Sequence, residues 1–208
     1  MGQAARKHEI RVANQTLILE AAERVFALSG FRGATTEQIA REAGLPKANV
    51  HYYFKTKSNI YREVLRSILD EWMKASSSFE AIKDPEESLR GYVRAKMDYS
   101  RQRPYGSRVW AREIMSGAPV IEEFLGTTLK SWVNERSRII QGWVDSGKIQ
   151  AVEPQALLYL IWATTQHYAD FERQILILND GASMTESQFD ERTEEVVKMI
   201  LRCVGLIV

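Results

Sequence analysis

Gly30-Phe31-Arg32-Gly33-Ala34-Thr35-Thr36-Glu37-Gln38-Ile39-Ala40 and, after Arg41 and Glu42, Ala43-Gly44-Leu45-Pro46-Lys47-Ala48-Asn49-Val50-His51-Tyr52-Tyr53-Phe54-Lys55-Thr56-Lys57 read as two short helices joined by a tight turn. Thr35 with Gln38 three residues on fits a capping box at the start of the first helix. Ala40 is small where two helices would cross closely, and Gly44 permits the turn between them. Pro46 suits the first turn of the second helix, where its missing N–H would be unpaired anyway. Leu45, Val50 and Phe54 supply apolar positions that pin the second helix to the first. Upstream, Ile18, Ala22, Val25 and Phe26 share one face of a helix that should stop at Ser29-Gly30. The unit is a three-helix helix-turn-helix, although any glycine-linked helix pair produces part of the same pattern.

The face of the second helix turned away from these apolar residues carries Lys47, Ala48, Asn49, His51 and Tyr52. In a helix-turn-helix the N-terminal residues of that helix meet base edges in the major groove. Lys47 can donate to guanine O6/N7, Asn49 can pair with adenine N6/N7, and Ala48 can lie against a thymine methyl. Thr36, His51, Tyr52 and Lys57 suit phosphate contacts, which fix position and carry the salt-dependent affinity. Charge agrees: residues 1–57 hold nine Lys/Arg against five acids, while the rest of the chain is slightly acidic. The basic stretch Arg6-Lys7-His8 with Arg11 reads either as a disordered soluble tail or as an arm following the adjacent groove.

Beyond Lys57 the periodicity stays helical, and no stretch alternates long enough to be a strand. A long helix from Ile60 to Ser76 carries Ile60, Val64, Leu65, Ile68 and Trp72 on one face. Further helices are expected from Pro85 to Arg101, Pro104 to Ser116, Pro119 to Ser146, Pro154 to Leu178 and Thr185 to Val204, bounded by prolines and glycines. The fold class is all-α with about nine helices: a helix-turn-helix domain over residues 1–56 and a larger helical domain over 57–208. Of the 208 residues, 45% are apolar and 26% charged, the profile of an ordinary globular protein. The longest apolar run, Ala156 to Ala163, is far short of the roughly 20 residues that span a bilayer. With no signal-type segment and one cysteine, Cys203, a cytoplasmic setting is expected. Cys203 itself reads as a small apolar core residue.

The quoted stretch resembles the DNA-binding domain of TetR-family repressors, with fifteen or more positions agreeing in order and spacing. That resemblance implies a homodimer on palindromic double-stranded DNA and a helical pocket for a small-molecule effector. Ligand binding would move the two DNA-binding domains apart. Carried over by position, Lys47, Ala48 and Asn49 match base-reading sites, and Thr36, His51, Tyr52 and Lys57 match phosphate-contacting sites. Glu37 departs from the basic or polar residue sometimes found there. Ile114–Pro119, Ile140–Ile149 and Ile161–Phe171 further resemble the sensor of regulators of pyrimidine utilisation within that family, which implies uracil or thymine as effector.

The residues allow such a ligand. Tyr159, Trp162, Ala163 and Gln166 fall on one helical stripe, and Gln166 offers the donor and acceptor that a pyrimidine edge requires. Trp162 and Trp72 can stack on the faces of a planar ring, while Arg90, Lys96 and Tyr99 can reach its remaining carbonyl. The same stripe also fits a plain core, with Gln166 satisfying a backbone group. A different effector, or a DNA-binding module with no ligand, therefore stays open. His167 and Asp170, one turn apart, are too few for a metal site and fit a mutual hydrogen bond. No cofactor is expected. The sequence has no nucleophile–base pair or phosphate loop, which argues against an enzyme. Phe189, Val196, Val197, Ile200, Leu201 and Val204 on the last helix, with the 156–163 run, exceed what one core needs. A two-fold bundle of the last two helices of each subunit would bury the surplus.

Overall fold

The computed structural model describes residues 3–75, 79 and 84–207, and all of its regular structure is helical. Among the described residues there are ten helices. They are α1 (Gln3–Gly33), α2 (Thr36–Glu42), α3 (Lys47–Phe54), α4 (Lys57–Ala75), α5 (Pro85–Gln102), α6 (Pro104–Met115), α7 (residues 122–145), α8 (Pro154–Asp170), α9 (Glu172–Leu178) and α10 (Glu186–Cys203). Ser76, the expected end of α4, lies outside the described residues. Two compact units result: residues 1–70 with 108–120, and residues 71–107 with 121–208.

In the first unit, Ile18, Ala22 and Phe26 of α1, Ile39 of α2, Val50 of α3 and Ile60 and Val64 of α4 are buried together. α1 reaches back to Gln3, so the basic residues at its start are helical and not a disordered tail. No glycine or proline interrupts the chain between Gln3 and Gly30, so nothing stops the helix from extending. Gly30 then breaks it at φ +68°, a left-handed conformation natural to glycine, before a last turn over residues 31–33. The capping box forms as the sequence implies: Thr35 Oγ1 accepts from the Gln38 amide, and Gln38 Oε1 accepts from the Thr35 amide at 2.8 Å. Replacing Thr35 with alanine should lower stability by ~1 kcal/mol. Urea unfolding at fixed protein concentration measures this; no change would mean that packing alone sets the start of α2. Pro46 sits one residue before α3, at the cap, and not in its first turn.

The second unit is organised on α5, which packs against both α8 and α10. Asp84 caps α5 by accepting from the Glu87 amide, with Pro85 as its first residue, and Glu153 and Pro154 repeat that arrangement on α8. Leu89, Val93 and Met97 of α5, Leu157, Leu158 and Ile161 of α8, and Val197, Ile200 and Leu201 of α10 form the centre of the core.

Four sequence expectations change here. The helix expected over 154–178 is two helices, parted at Phe171. α7 starts at Glu122, after the Pro119 turn, and contains a π-helical stretch, Leu125–Leu129. Phe189, Val196, Val197, Ile200, Leu201 and Val204 are all buried within the protomer, so α10 has no apolar surplus on that stripe. The exposed apolar side chains of this unit are instead Tyr159 and Leu160 on α8, Phe171, Ile177 and Leu178 around α9, and Met199 on α10. Cys203 is exposed and not a core residue, because Ile200, Leu201 and Val204 take the inward stripe around it.

Candidate nucleic-acid interface and effector site

In the first unit, the turn between α2 and α3 is closed by the Leu45 amide donating to the Ala40 carbonyl at 3.0 Å, with Gly44 at φ +65°. Val50 and Phe54 face inward, so a helical period puts Lys47, Ala48, His51 and Tyr52 outward, and all four are exposed. Asn49 is half-buried beside them. The outward face of α3 is a polar strip held by a buried one. Tyr52, three-quarters exposed, meets Tyr53 edge-on, and Tyr53 in turn accepts a hydrogen bond from Asn14 of α1 at 3.1 Å. Lys47 lies 3.5 Å from Glu37, both well exposed, a pair too weak to withhold the lysine from another anion.

Thr36 occupies the first turn of α2, half-buried. His51 is exposed near the end of α3, its Nδ1 3.4 Å from the Lys55 carbonyl. Lys57 differs from the others. Its Nζ donates to the carbonyls of Phe31 at 2.7 Å and Ala34 at 2.8 Å and lies 4.6 Å from the Phe31 ring centroid. Two of its three N–H groups are thereby committed to the chain itself, leaving one for a phosphate.

In the second unit, α5 gathers most of the residues singled out for the effector. Lys96 Nζ sits 3.7 Å from the centroid of the Trp72 ring, and Tyr99 meets Trp72 edge-on at 5.8 Å. Lys96 is 3% exposed. Burial lowers its pKa to about 7, with the Asp170 carboxylate partly opposing that shift. Trp162 Nε1 donates to Tyr92 Oη at 2.7 Å, one turn before Lys96 on the same face of α5, and the Trp132 ring lies 6.1 Å away. Ser100 Oγ donates to the Thr165 carbonyl at 2.8 Å, which ties α5 to α8 beside Gln166. Gln166 is half-buried, and its side-chain amide makes no hydrogen bond to the described residues.

Arg90 is not brought to this cluster. It lies about 120° around the helix from Lys96, and its guanidinium bonds Glu86 at 2.6 Å and faces Glu194 at 3.7 Å. Tyr159 and Ala163 are exposed, so the stripe through Trp162 and Gln166 straddles the edge of the buried face and does not form its centre. His167 stacks on Phe171 while Asp170 accepts from Ser107 at 2.6 Å, in place of the expected mutual hydrogen bond. Among the described residues no cluster of His, Cys, Asp and Glu could hold a metal ion. Tyr92 and Trp132 were missed in the sequence; the spacing of Tyr92, Lys96 and Tyr99 along one helical face is the signal that would have found the first.

Residues 18–64 match the model of the bacterial regulatory proteins of the tetR family, and residues 65–207 match that of the YcdC-like protein C-terminal region. The chain belongs to the TetR family of transcriptional regulators. It is 41% identical to the HTH-type transcriptional regulator RutR of Escherichia coli O157:H7, over 91% of this chain and 89% of that protein. The RutR of strain K12 is 40% identical over the same shares. Among solved structures, the ketosteroid transcriptional regulator KstR2 of Mycobacterium tuberculosis superposes with a TM-score of 0.75 over 91% of this chain and 94% of that one, at 16% identity. AibR, solved with isovaleryl coenzyme A and operator DNA, gives 0.71 over 89% and 97%, at 18% identity. These two show the TetR fold alone. The curated relatives of this TetR-family chain are regulators and not enzymes, and no described helix is long and apolar enough to cross a membrane.

Proposed function

We propose that this TetR-family regulator is a cytoplasmic repressor that, as a homodimer, reads a palindromic operator and releases it on binding a pyrimidine such as uracil or thymine. Residues 1–56 would form the DNA-binding domain and 57–208 the effector-binding and dimerising one. Lys47, Ala48 and Asn49 would read bases. Thr36, His51, Tyr52 and the remaining N–H of Lys57 would hold phosphates.

The observation that carries the effector reading is the cluster Trp72–Lys96–Tyr99 on the same face of α5 as the Tyr92–Trp162 hydrogen bond. A planar heterocycle with alternating carbonyl and N–H groups needs flat apolar walls and a few buried polar partners. Indole rings supply the first, and Lys96 with the unengaged amide of Gln166 the second. A buried amine whose charged form is disfavoured by burial still donates to a carbonyl in either protonation state, which suits a neutral ligand. The sensor segments' resemblance to regulators of pyrimidine utilisation supports the same class. Exposed apolar residues on α8, α9 and α10 supply the surface that a two-fold bundle would bury.

Thermal-shift titration of the full chain with uracil and thymine tests this. A native-state ligand at a hundred times its Kd raises stability by ~2.7 kcal/mol, so a saturable rise in melting temperature is expected, diminished in Gln166→Ala. Operator release in a gel shift should follow the same concentration range. If neither base shifts the melt nor releases DNA, the pyrimidine reading is wrong, and a binding response to another compound would leave the regulator reading intact.

A further inference from the structure

A cleft of about 630 Å³ opens within the first unit, between the end of α1, the start of α4 and the end of α6. Phe31, Tyr61 and Val120 are among the residues that line it, and Arg32, Arg62 and Arg112 stand around them. Each of the three arginines is exposed, and none has a hydrogen bond or ion pair from its guanidinium to the described residues. Arg112 is drawn against the α1 turn: a Cβ added at Gly30 would meet its Nη1 at 3.2 Å, so the glycine is what lets the guanidinium come so close. The carboxylate that lines the cleft is buried and bonded to neutral donors, which leaves its single charge in place. Glu113 is 2% exposed, and its two oxygens accept from the Tyr61 hydroxyl at 2.9 Å and the Val120 amide at 2.6 Å.

Three guanidiniums outnumber the one carboxylate that lines the cleft, so it carries net positive charge, and with Phe31 and Val120 beside them it is complementary to a compact anion joined to a small apolar body. Guanidinium binds phosphate oxygens in pairs through its planar fork, and a phosphomonoester carries close to two charges at neutral pH. The volume lies within the range of small-molecule sites. A phosphodiester backbone would bring one charge per nucleotide and leave the apolar lining unused. We propose that this cleft is a second ligand site, selective for a phosphomonoester of mononucleotide size. It is separate from the effector cluster on α5 and stands whether or not that cluster takes a pyrimidine.

The test is thermal-shift and calorimetric titration of the full chain at constant ionic strength. The probes are uridine and adenosine 5′-monophosphates, the two nucleosides, and inorganic phosphate. Saturable binding of both nucleotides is expected, at least tenfold tighter than uridine, adenosine or phosphate. The double variant Arg62→Gln/Arg112→Gln should weaken nucleotide binding tenfold or more, with its unliganded melt showing that it folds. Arg112→Lys, which keeps the charge but loses the fork, serves as the second variant and should show a smaller loss. The proposal is overturned if neither nucleotide binds saturably, or if the arginine variants bind them as the wild type does. It is equally overturned if those variants alter only operator affinity and its salt dependence, which would assign the arginines to DNA phosphates.

Discussion

Lys47→Ala and Asn49→Ala are each expected to cost ~1–3 kcal/mol of operator affinity, a loss of about 5- to 150-fold apiece. The two residues lie on the outward face of α3, Lys47 exposed and Asn49 half-buried beside it, with Val50 and Phe54 holding the helix from behind. Neither substitution removes a core contact, so the unfolding midpoint should stay within a few degrees. The variants should differ in kind. Asn49→Ala removes a donor–acceptor pair but no charge, so it should lower discrimination between operator and random DNA while leaving non-specific binding and its salt dependence alone. Lys47→Ala also removes a charge, and the slope of log affinity against log salt should fall by about one as well. The residues are two apart on one helix and would share adjacent base pairs, so the double variant need not show a simple sum. Gel-shift competition against random DNA at two salt concentrations separates these outcomes. A double variant that keeps full sequence discrimination would remove α3 as the base reader.

The second large effect concerns pH. Lys96 is buried on α5 against the Trp72 ring, and its pKa is lowered to about 7 from an unfolded value near 10.5. Between those values the unfolded chain carries a proton that the folded chain has released. Stability therefore rises with pH across this interval, at most ~1.4 kcal/mol per pH unit. Below about pH 7 both states are protonated and the full burial penalty applies. Two tyrosines set the upper limit of the usable range. Burial raises the pKa of both Tyr61 and Tyr92, so above about pH 10 the folded chain keeps protons that the unfolded one loses and the slope reverses. Stability is thus expected to climb by ~2 kcal/mol from pH 7 to pH 9 in the wild type. Lys96→Met, of similar length and without the amine, should be nearly flat over the same range and more stable at pH 7. Urea unfolding at the two pH values and one fixed protein concentration checks both claims. Equal slopes in the two proteins would mean that Lys96 keeps an ordinary pKa in the fold.

The DNA-binding half was legible because its signals are local. The Thr35–Gln38 box, the Gly44 turn and the Val50–Phe54 spacing each act over a few residues, and each appears in the structure as the sequence implies. The effector half was less so. Arg90 looked like a pocket residue because it is near Lys96 in sequence, yet the neighbouring acids Glu86 and Glu194 draw it to the surface. The partition of α8 from α9 leaves no mark in the sequence: Phe171 breaks the helix at φ −111° and ψ 24°, a conformation open to any residue, so no glycine or proline was needed. Tyr92 escaped notice because its partner, Trp162, is seventy residues away. The apolar stripe of α10 was misassigned for a related reason, since hydrophobicity tells that a face is covered and not which subunit covers it.

Lys57 ties three parts of the chain at one point. Its ammonium holds the last turn of α1 through Phe31 and the approach to α2 through Ala34, while its own backbone begins α4. The reading head is thus fastened to the shaft at the shaft's first residue. A tilt of that first turn cannot be absorbed by slack in the 31–36 linker, because the linker's carbonyls travel with the lysine. α2, and α3 behind it, would be carried along as one piece. In mechanical terms the joint is a rivet and not a hinge.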